Sequence, residues 1–174
     1  MGYTITYNWY AVYVRSRAEK AVYDRFIDQG FEAFLPLERK LRKWSDRKKW
    51  VEVPYINSYV FVKSSEKEYF QVLNTFNVVR FVTFEGQAAP IPDWQIEAMK
   101  KIVSSKAAFH FSSHKFQKGE KIVIEKGVLT GYSGEVIHDS DGKKKVLIRI
   151  DQIGYSMVVE ADILEVKKVK SETK

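Results

Sequence analysis

From residue 116 onward the chain shows no helical period at all. The runs KIVIEKG, GEVIHDSDG, KKVLIRI, YSMVVEA and ILEVKK are short, β-branched and parted by Gly or Asp-Gly, the spacing of a small barrel. Asp141-Gly142 carries the signal of a type I′ hairpin turn. The residues before this stretch mix strands with helices, and SSKAAFHFSSHK, 104–115, has Ser clusters and no sustained period. These shifts predict two units, 1–105 and 116–170, joined by a linker over 106–115.

In the first unit, WYAVYVR reads as a buried strand. Ser16-Arg17-Ala18-Glu19 spells a capping box, so a helix is predicted from Ser16, with Ala18, Val22 and Phe26 on its buried face and Gly30 as its stop. FEAFLPLERKLRKW and WVEVPYINSYVFVK read as the arms of a long hairpin. Glu66 to Thr75 predicts a short helix, Asn77 to Phe84 a strand, and Pro92 a helix start followed by the stripe Ile96, Met99 and Ile102. The pattern is α+β: an antiparallel sheet with flanking helices. With helices on one side only, some of Tyr13, Phe34, Tyr55, Tyr59, Phe61, Phe81 and Phe84 would face outward, as at a protein-binding patch.

Catalytic and cofactor chemistries find little support. GVLTGYSGEV, 127–136, spaces its glycines like a phosphate loop but has no helix after it and no Lys-Ser/Thr pair. It reads as a turn, with Gly127, Gly131 and Gly134 supplying positive φ and Val128, Leu129 and Tyr132 turned outward. His110 and His114 stand four apart, but they lie in the Ser-rich segment without a carboxylate between them and read as solvated linker rather than a metal site. The chain has no cysteine, which excludes disulfides and thiolate metal ligands. His138, Asp139 and Asp141 have no nucleophile beside them. No enzyme, cofactor or metal is expected, and without an apolar run of spanning length the protein is expected to be soluble and cytoplasmic.

Charge points elsewhere. The net charge is +7, and Arg39 to Lys49 (RKLRKWSDRKK) alone holds seven basic residues against Asp46. So many like charges must project from the body. Interleaved with Trp44 and Trp50, the set Arg39, Lys40, Arg42, Lys43, Arg47, Lys48 and Lys49 has the composition of a nucleic-acid surface, the alternative being a solvated hairpin.

The order WYAVYVRSRAEKAV, FEAFLPL, a basic insertion, YINSYVFV, NVVRFV, PIPDWQIEAM and KFQKGEKIVIEKGVLTGYSGEV resembles the NusG family of transcription elongation factors over roughly residues 8–168. Gly119-Glu120, Ile122, Ile124, Gly127, Gly131, Gly134 and Val136 resemble its KOW motif. The resemblance implies a NusG-type N-terminal domain followed by an SH3-like KOW barrel. The basic insertion and Tyr-rich strands look more like a specialised paralogue, RfaH-like or of the UpxY type that antiterminates capsular polysaccharide operons.

Carried over by position, the resemblance implies that Tyr13, Phe34, Ile56, Phe61 and Phe81 meet the clamp helices of RNA polymerase. It implies that Arg15, Arg17 and Arg25, with Tyr59 nearby, meet non-template DNA or nascent RNA. The barrel would recruit Rho or a ribosomal protein, and the free protein would be a monomer away from membranes. Where the family has Phe-Pro-Gly-Tyr or Phe-Pro-Asn-Tyr, this chain has Ile56-Asn57-Ser58-Tyr59, and the RfaH-like His-Thr-Thr run has no counterpart near Glu68–Gln71. The second unit is too rich in Gly, Val and Ile for refolding into helices. The competing reading is a KOW-containing RNA-binding protein of the translation apparatus.

Overall fold

The computed structural model describes residues 5–45, 47–138 and 141–160, and the backbone of 166–168. Asp46, Asp139 and the first residues of the expected last strand lie outside these. The chain divides into two compact units, Met1–Asp93 and Trp94–Lys174, a division that falls before the Ser-rich segment.

The first unit runs β1 (Asn8–Val14), α1 (Glu19–Asp28), β2 (Glu32–Phe34), β3 (Leu37–Lys43), β4 (Lys48–Pro54), β5 (Tyr59–Ser64), a 3₁₀ turn over Glu66–Glu68, α2 (Tyr69–Leu73) and β6 (Val78–Phe81). The short strands β7 (Thr83–Phe84), β8 (Gln87–Ala88) and β9 (Pro90–Ile91) follow. The main sheet has the order β2-β5-β1-β6, with β9 also on β1, and every pairing is antiparallel. Side chains alternate along a strand, so Val12, Val14, Val60 and Val62 share one face. There they form a core with Val22 and Phe26 of α1 and Val72 of α2.

Two local expectations need correction. The capping box at Ser16 does not form: α1 begins at Glu19 with no side-chain cap. Arg17 has φ 65°, a left-handed conformation through which a right-handed helix cannot start, and the Glu19 carboxylate is engaged elsewhere. A capping box forms instead at Ser65, whose N–H and hydroxyl both donate to Glu68 Oε2, at 2.8 and 2.7 Å. The strand expected over Asn77–Phe84 ends at Phe81; Val82 still donates its N–H to the Ala11 carbonyl of β1, and the chain then turns through Glu85 and Gly86, both at positive φ. That turn leaves Phe84 on the surface rather than in the core.

The helix α3 (Asp93–Ser104) starts just after Pro92 and buries Ile96, Met99 and Ile102, the stripe read from the sequence. Next come β10 (Phe109–Ser112), β11 (Glu120–Ile124), β12 (Ser133–His138), β13 (Lys144–Ile150), a 3₁₀ turn, β14 (Tyr155–Glu160) and β15 (Val166–Lys168). They form a six-stranded antiparallel sheet in the order β10-β14-β13-β12-β11-β15. The segment expected as linker therefore contributes an edge strand: Phe109, His110 and Phe111 alternate as strand residues do, and β10 pairs with β14. Within this unit Gln95 Nε2 donates to the Arg149 carbonyl at 3.0 Å, and Trp94 and Lys101 lie against the Tyr132 ring at 6.3 and 4.8 Å.

Candidate nucleic-acid and partner interface

The sheet face opposite α1 is aromatic. Cross-strand partners share a face, so the register sets Tyr13 beside Tyr59 and Arg80, and Phe61 beside Ala11 and Phe34. The Tyr13 and Tyr59 rings meet edge to face at 5.6 Å, Phe34 stacks on Phe61 at 6.0 Å, and the Arg80 guanidinium lies 5.7 Å from the Tyr13 ring centre. A cation this close to an aromatic ring is attracted by its quadrupole and fixes its orientation.

Of the five residues expected to meet a polymerase, the register brings Tyr13, Phe34 and Phe61 together on this face. Phe81 belongs to the other one: it is opposite Val12, packs in the α1 core and stacks on Tyr69 at 4.5 Å. Ile56 and Phe61 are buried, so Tyr13, 36% exposed, and the half-buried Phe34 are the accessible members. Arg80 gave no sequence signal. Only its pairing with Tyr13, at a register irregularity between Tyr13 and Val14, places it here.

Where β1 ends, the chain becomes basic. Arg15 donates its backbone N–H to the Asn77 carbonyl at 3.0 Å, and both Arg15 and Arg17 are exposed. A groove of about 450 Å³ runs from this entrance to the hairpin, lined by Arg17, Lys20, Glu52 and Arg42, among others. Lys20 bridges it to Glu52 at 3.3 Å. Arg25, expected with this group, instead donates to the Ala21 carbonyl and lies over the Phe76 ring at 5.3 Å.

The hairpin β3–β4 is a separate two-stranded sheet, with Lys43 opposite Lys48, Arg42 opposite Lys49 and Leu41 opposite Trp50. Its two faces differ. One carries Arg39, Leu41, Lys43, Lys48 and Trp50, with Arg39 over the Trp50 ring at 5.6 Å; the other carries Lys40, Arg42 and Lys49. Trp50 and Trp44 are more than half exposed, and Trp44 closes the tip by donating its N–H to the Arg47 carbonyl. Large rings left in water between cations have no packing role in the unit itself.

In the C-terminal unit Gly127 and Gly131 take φ 100° and 86°, as a tight connection requires. Gly134 does not. It lies in β12, where a Cβ would come 3.0 Å from the Leu147 carbonyl oxygen, so close strand approach rather than backbone conformation favours glycine. Leu129, expected outside, is fully buried, while Val128 and Tyr132 are half-buried. A strand follows the loop, so the loop does not lead into a helix as a phosphate-binding loop does.

Comparison with known proteins agrees with this architecture. A sequence model of the family described as "Transcription termination factor nusG" matches residues 7–100. The transcription termination/antitermination protein NusG of Chlamydia pneumoniae is 25% identical over 158 residues, covering 83% of this chain and 86% of that protein. Among solved structures, NusG of Thermotoga maritima superposes with a TM-score of 0.52 at 20% identity, covering 95% of this chain and 98% of that one, a likeness of fold.

Proposed function

The chain belongs to the NusG family of transcription termination/antitermination factors, and from that premise we propose that it is a specialised antitermination factor that works by binding rather than by catalysis. The aromatic face around Tyr13 and Phe34, with Tyr59 and Arg80 at its rim and Phe61 beneath, docks on the clamp helices of RNA polymerase. The basic entrance at Arg15 and Arg17 and the hairpin from Arg39 to Lys49 engage the displaced DNA strand or nascent RNA. A factor bound to both favours the elongating state over paused states in proportion to its differential affinity for them.

One observation carries this reading: β1 delivers Tyr13 to the aromatic face and, two residues later, Arg15 to the basic entrance, so apolar and phosphate-binding surfaces adjoin. The C-terminal sheet is read as a KOW barrel that recruits a second factor, Rho or a ribosomal protein. Capsular polysaccharide operons are the proposed targets, after the resemblance to UpxY-type factors.

Transcription in vitro with purified polymerase on pausing and terminator templates tests the proposal. Addition of the protein is expected to shorten pauses and raise read-through, and Tyr13→Ala to abolish both. No change on any template, or co-purification of the tagged protein with ribosomes and not with polymerase, would refute it.

A further inference from the structure

A recess of about 660 Å³ opens in the C-terminal unit, walled by His114, Lys115, Phe116, Lys118, Lys121 and Tyr155, with Glu135, Arg149 and Asp151 also lining it. It is held open by a fixed framework. Arg149 donates through Nε to Glu135 Oε1 at 2.9 Å and through Nη2 to Glu135 Oε2 at 3.1 Å. The same Nη2 donates to the carbonyl oxygens of Phe116 and Gln117, at 3.2 and 3.1 Å, while Glu135 Oε2 accepts from the Gly119 N–H at 2.9 Å. Gly119 has no room for a side chain, because a Cβ there would overlap the Val136 carbonyl oxygen. The segment 116–119 is therefore pinned from three of its residues by one buried-edge ion pair.

That pairing sets the charge of the recess. Arg149 and Glu135 neutralise each other, leaving three exposed lysines, Lys115, Lys118 and Lys121, against Asp151, a net of +2. The walls between the lysines are rings. His114 is exposed and meets Phe116 edge to face at 4.8 Å, and Phe116 is anchored on Ile137, Leu147 and Val158. Tyr155 is half-buried on the other wall. A volume of this size holds a ligand of nucleotide dimensions. Ring faces beside exposed cations suit a base joined to a phosphodiester, whereas an acidic peptide would satisfy the lysines and leave the rings without a planar partner.

We propose that this recess is a second nucleic-acid site, in which a short single-stranded segment places its phosphodiester among Lys115, Lys118 and Lys121 and an unpaired base against His114 and Tyr155. A duplex does not fit, since its bases are stacked and turned away from a concave wall. The site is distinct from the hairpin and does not depend on polymerase docking.

The experiment uses the full chain carrying Arg47→Ser, Lys48→Ser and Lys49→Ser, which removes three of the hairpin's seven cations and so weakens its competition with a second site. Fluorescence anisotropy is measured with labelled oligouridylate, oligothymidylate and a duplex of equal length over a range of salt. Adding Lys115→Glu, Lys118→Glu and Lys121→Glu is expected to weaken single-strand binding tenfold or more and to lower the log–log salt slope by about 2, at about 0.7 per phosphate contact. His114→Ala is expected to weaken it about fivefold with the slope unchanged. The ratio of uridylate to thymidylate affinity tells RNA from DNA as the source of the strand. The proposal is overturned if the lysine reversals leave affinity unchanged, if duplex and single strand lose equally, if polyglutamate of matched charge displaces the oligonucleotide as well as unlabelled oligonucleotide does, or if the chain with the three serine substitutions shows no binding. The hairpin reading fails separately, if the three serine substitutions alone cost no affinity.

Discussion

The carboxylate of Glu19, at the first residue of α1, accepts a 2.7 Å hydrogen bond from the backbone N–H of Ser58, 39 residues away in the turn before β5. Glu19 is only 5% exposed, and Ser58 returns its carbonyl to the Val14 N–H at 2.9 Å. One side chain thus ties the end of β1, the start of α1 and the Ile56–Tyr59 turn together, next to Arg15 and Arg17. Removing one partner of a buried charge-assisted hydrogen bond strands the other. Glu19→Ala is expected to cost about 1–3 kcal/mol in urea unfolding, and Glu19→Gln, which keeps an acceptor oxygen, clearly less. Equal losses for the two would show that the packing of the stem, not the hydrogen bond, matters.

Ser58 sits at φ 63°, where a side chain is strained and glycine is not. Ser58→Gly is therefore expected to fall between no change and a gain of about 1 kcal/mol, offset by the greater freedom of the unfolded chain. Ser58→Val should lose about 1–3 kcal/mol, because a β-branched residue resists positive φ. Thermal melts of the two variants give the comparison directly.

Reversing Arg47, Lys48 and Lys49 to Glu is expected to weaken nucleic-acid binding at least tenfold near 0.1 M salt and to flatten its salt dependence, since fewer counterions are released. Trp50→Ala should act differently, reducing single-strand affinity about fivefold or more while leaving the slope in place. Crosslinking to DNA and RNA that both variants leave unaltered would return the hairpin to a solvated charge run.

Hydrogen bonding from Arg149 holds the Glu135 carboxyl below its ordinary value, aided by the Gly119 N–H and the charges of Arg149 and Lys118 and opposed by partial burial. A depressed carboxylate contributes stability that is fully present above its unfolded value and is lost as pH falls toward the folded one. Melting of the wild-type chain should therefore decline below about pH 4.5, the ordinary carboxylate range, through the C-terminal unit. Glu135→Gln should start lower at pH 7 and lose less over that window. Parallel pH profiles for the two proteins would exclude the pair as a source of the acid sensitivity.

Leu129 is completely buried inside the glycine-rich connection. Leu129→Ala is expected to destabilise the C-terminal unit by about 2–5 kcal/mol, the range for a core leucine, whereas Val128→Ala, half-buried beside it, should cost under about 1.5 kcal/mol. Comparable denaturation midpoints for the two would mean that the loop side chains are not packed as described.

Much of the fold was legible because short-range periods are physical constraints on the sequence. The unbroken aromatic and β-branched runs of β1 and β5, the helical stripe Val22–Phe26, the stripe Ile96–Met99–Ile102 and the projecting basic hairpin all follow from which side chains can leave water. Ser16–Glu19 and Ser65–Glu68 offer the same capping pattern, and the sequence cannot say that only the second forms. That choice depends on Ser58, which claims Glu19 from across the fold. The composition of the binding surfaces was likewise readable, as an aromatic excess and a charge run. Their assembly was not: strand register moves Phe81 into the α1 core, brings Arg80 to Tyr13, and leaves Tyr13 and Phe34 accessible over a buried Phe61. The same holds for Lys115, Lys118 and Lys121, which carried no signal of their own in the sequence: they line one recess beside the segment 116–119 that Arg149 and Glu135, far along the chain, pin in place. Local period fixes which face of an element is apolar; which faces meet depends on contacts between residues distant in sequence, and only the tertiary structure decides those.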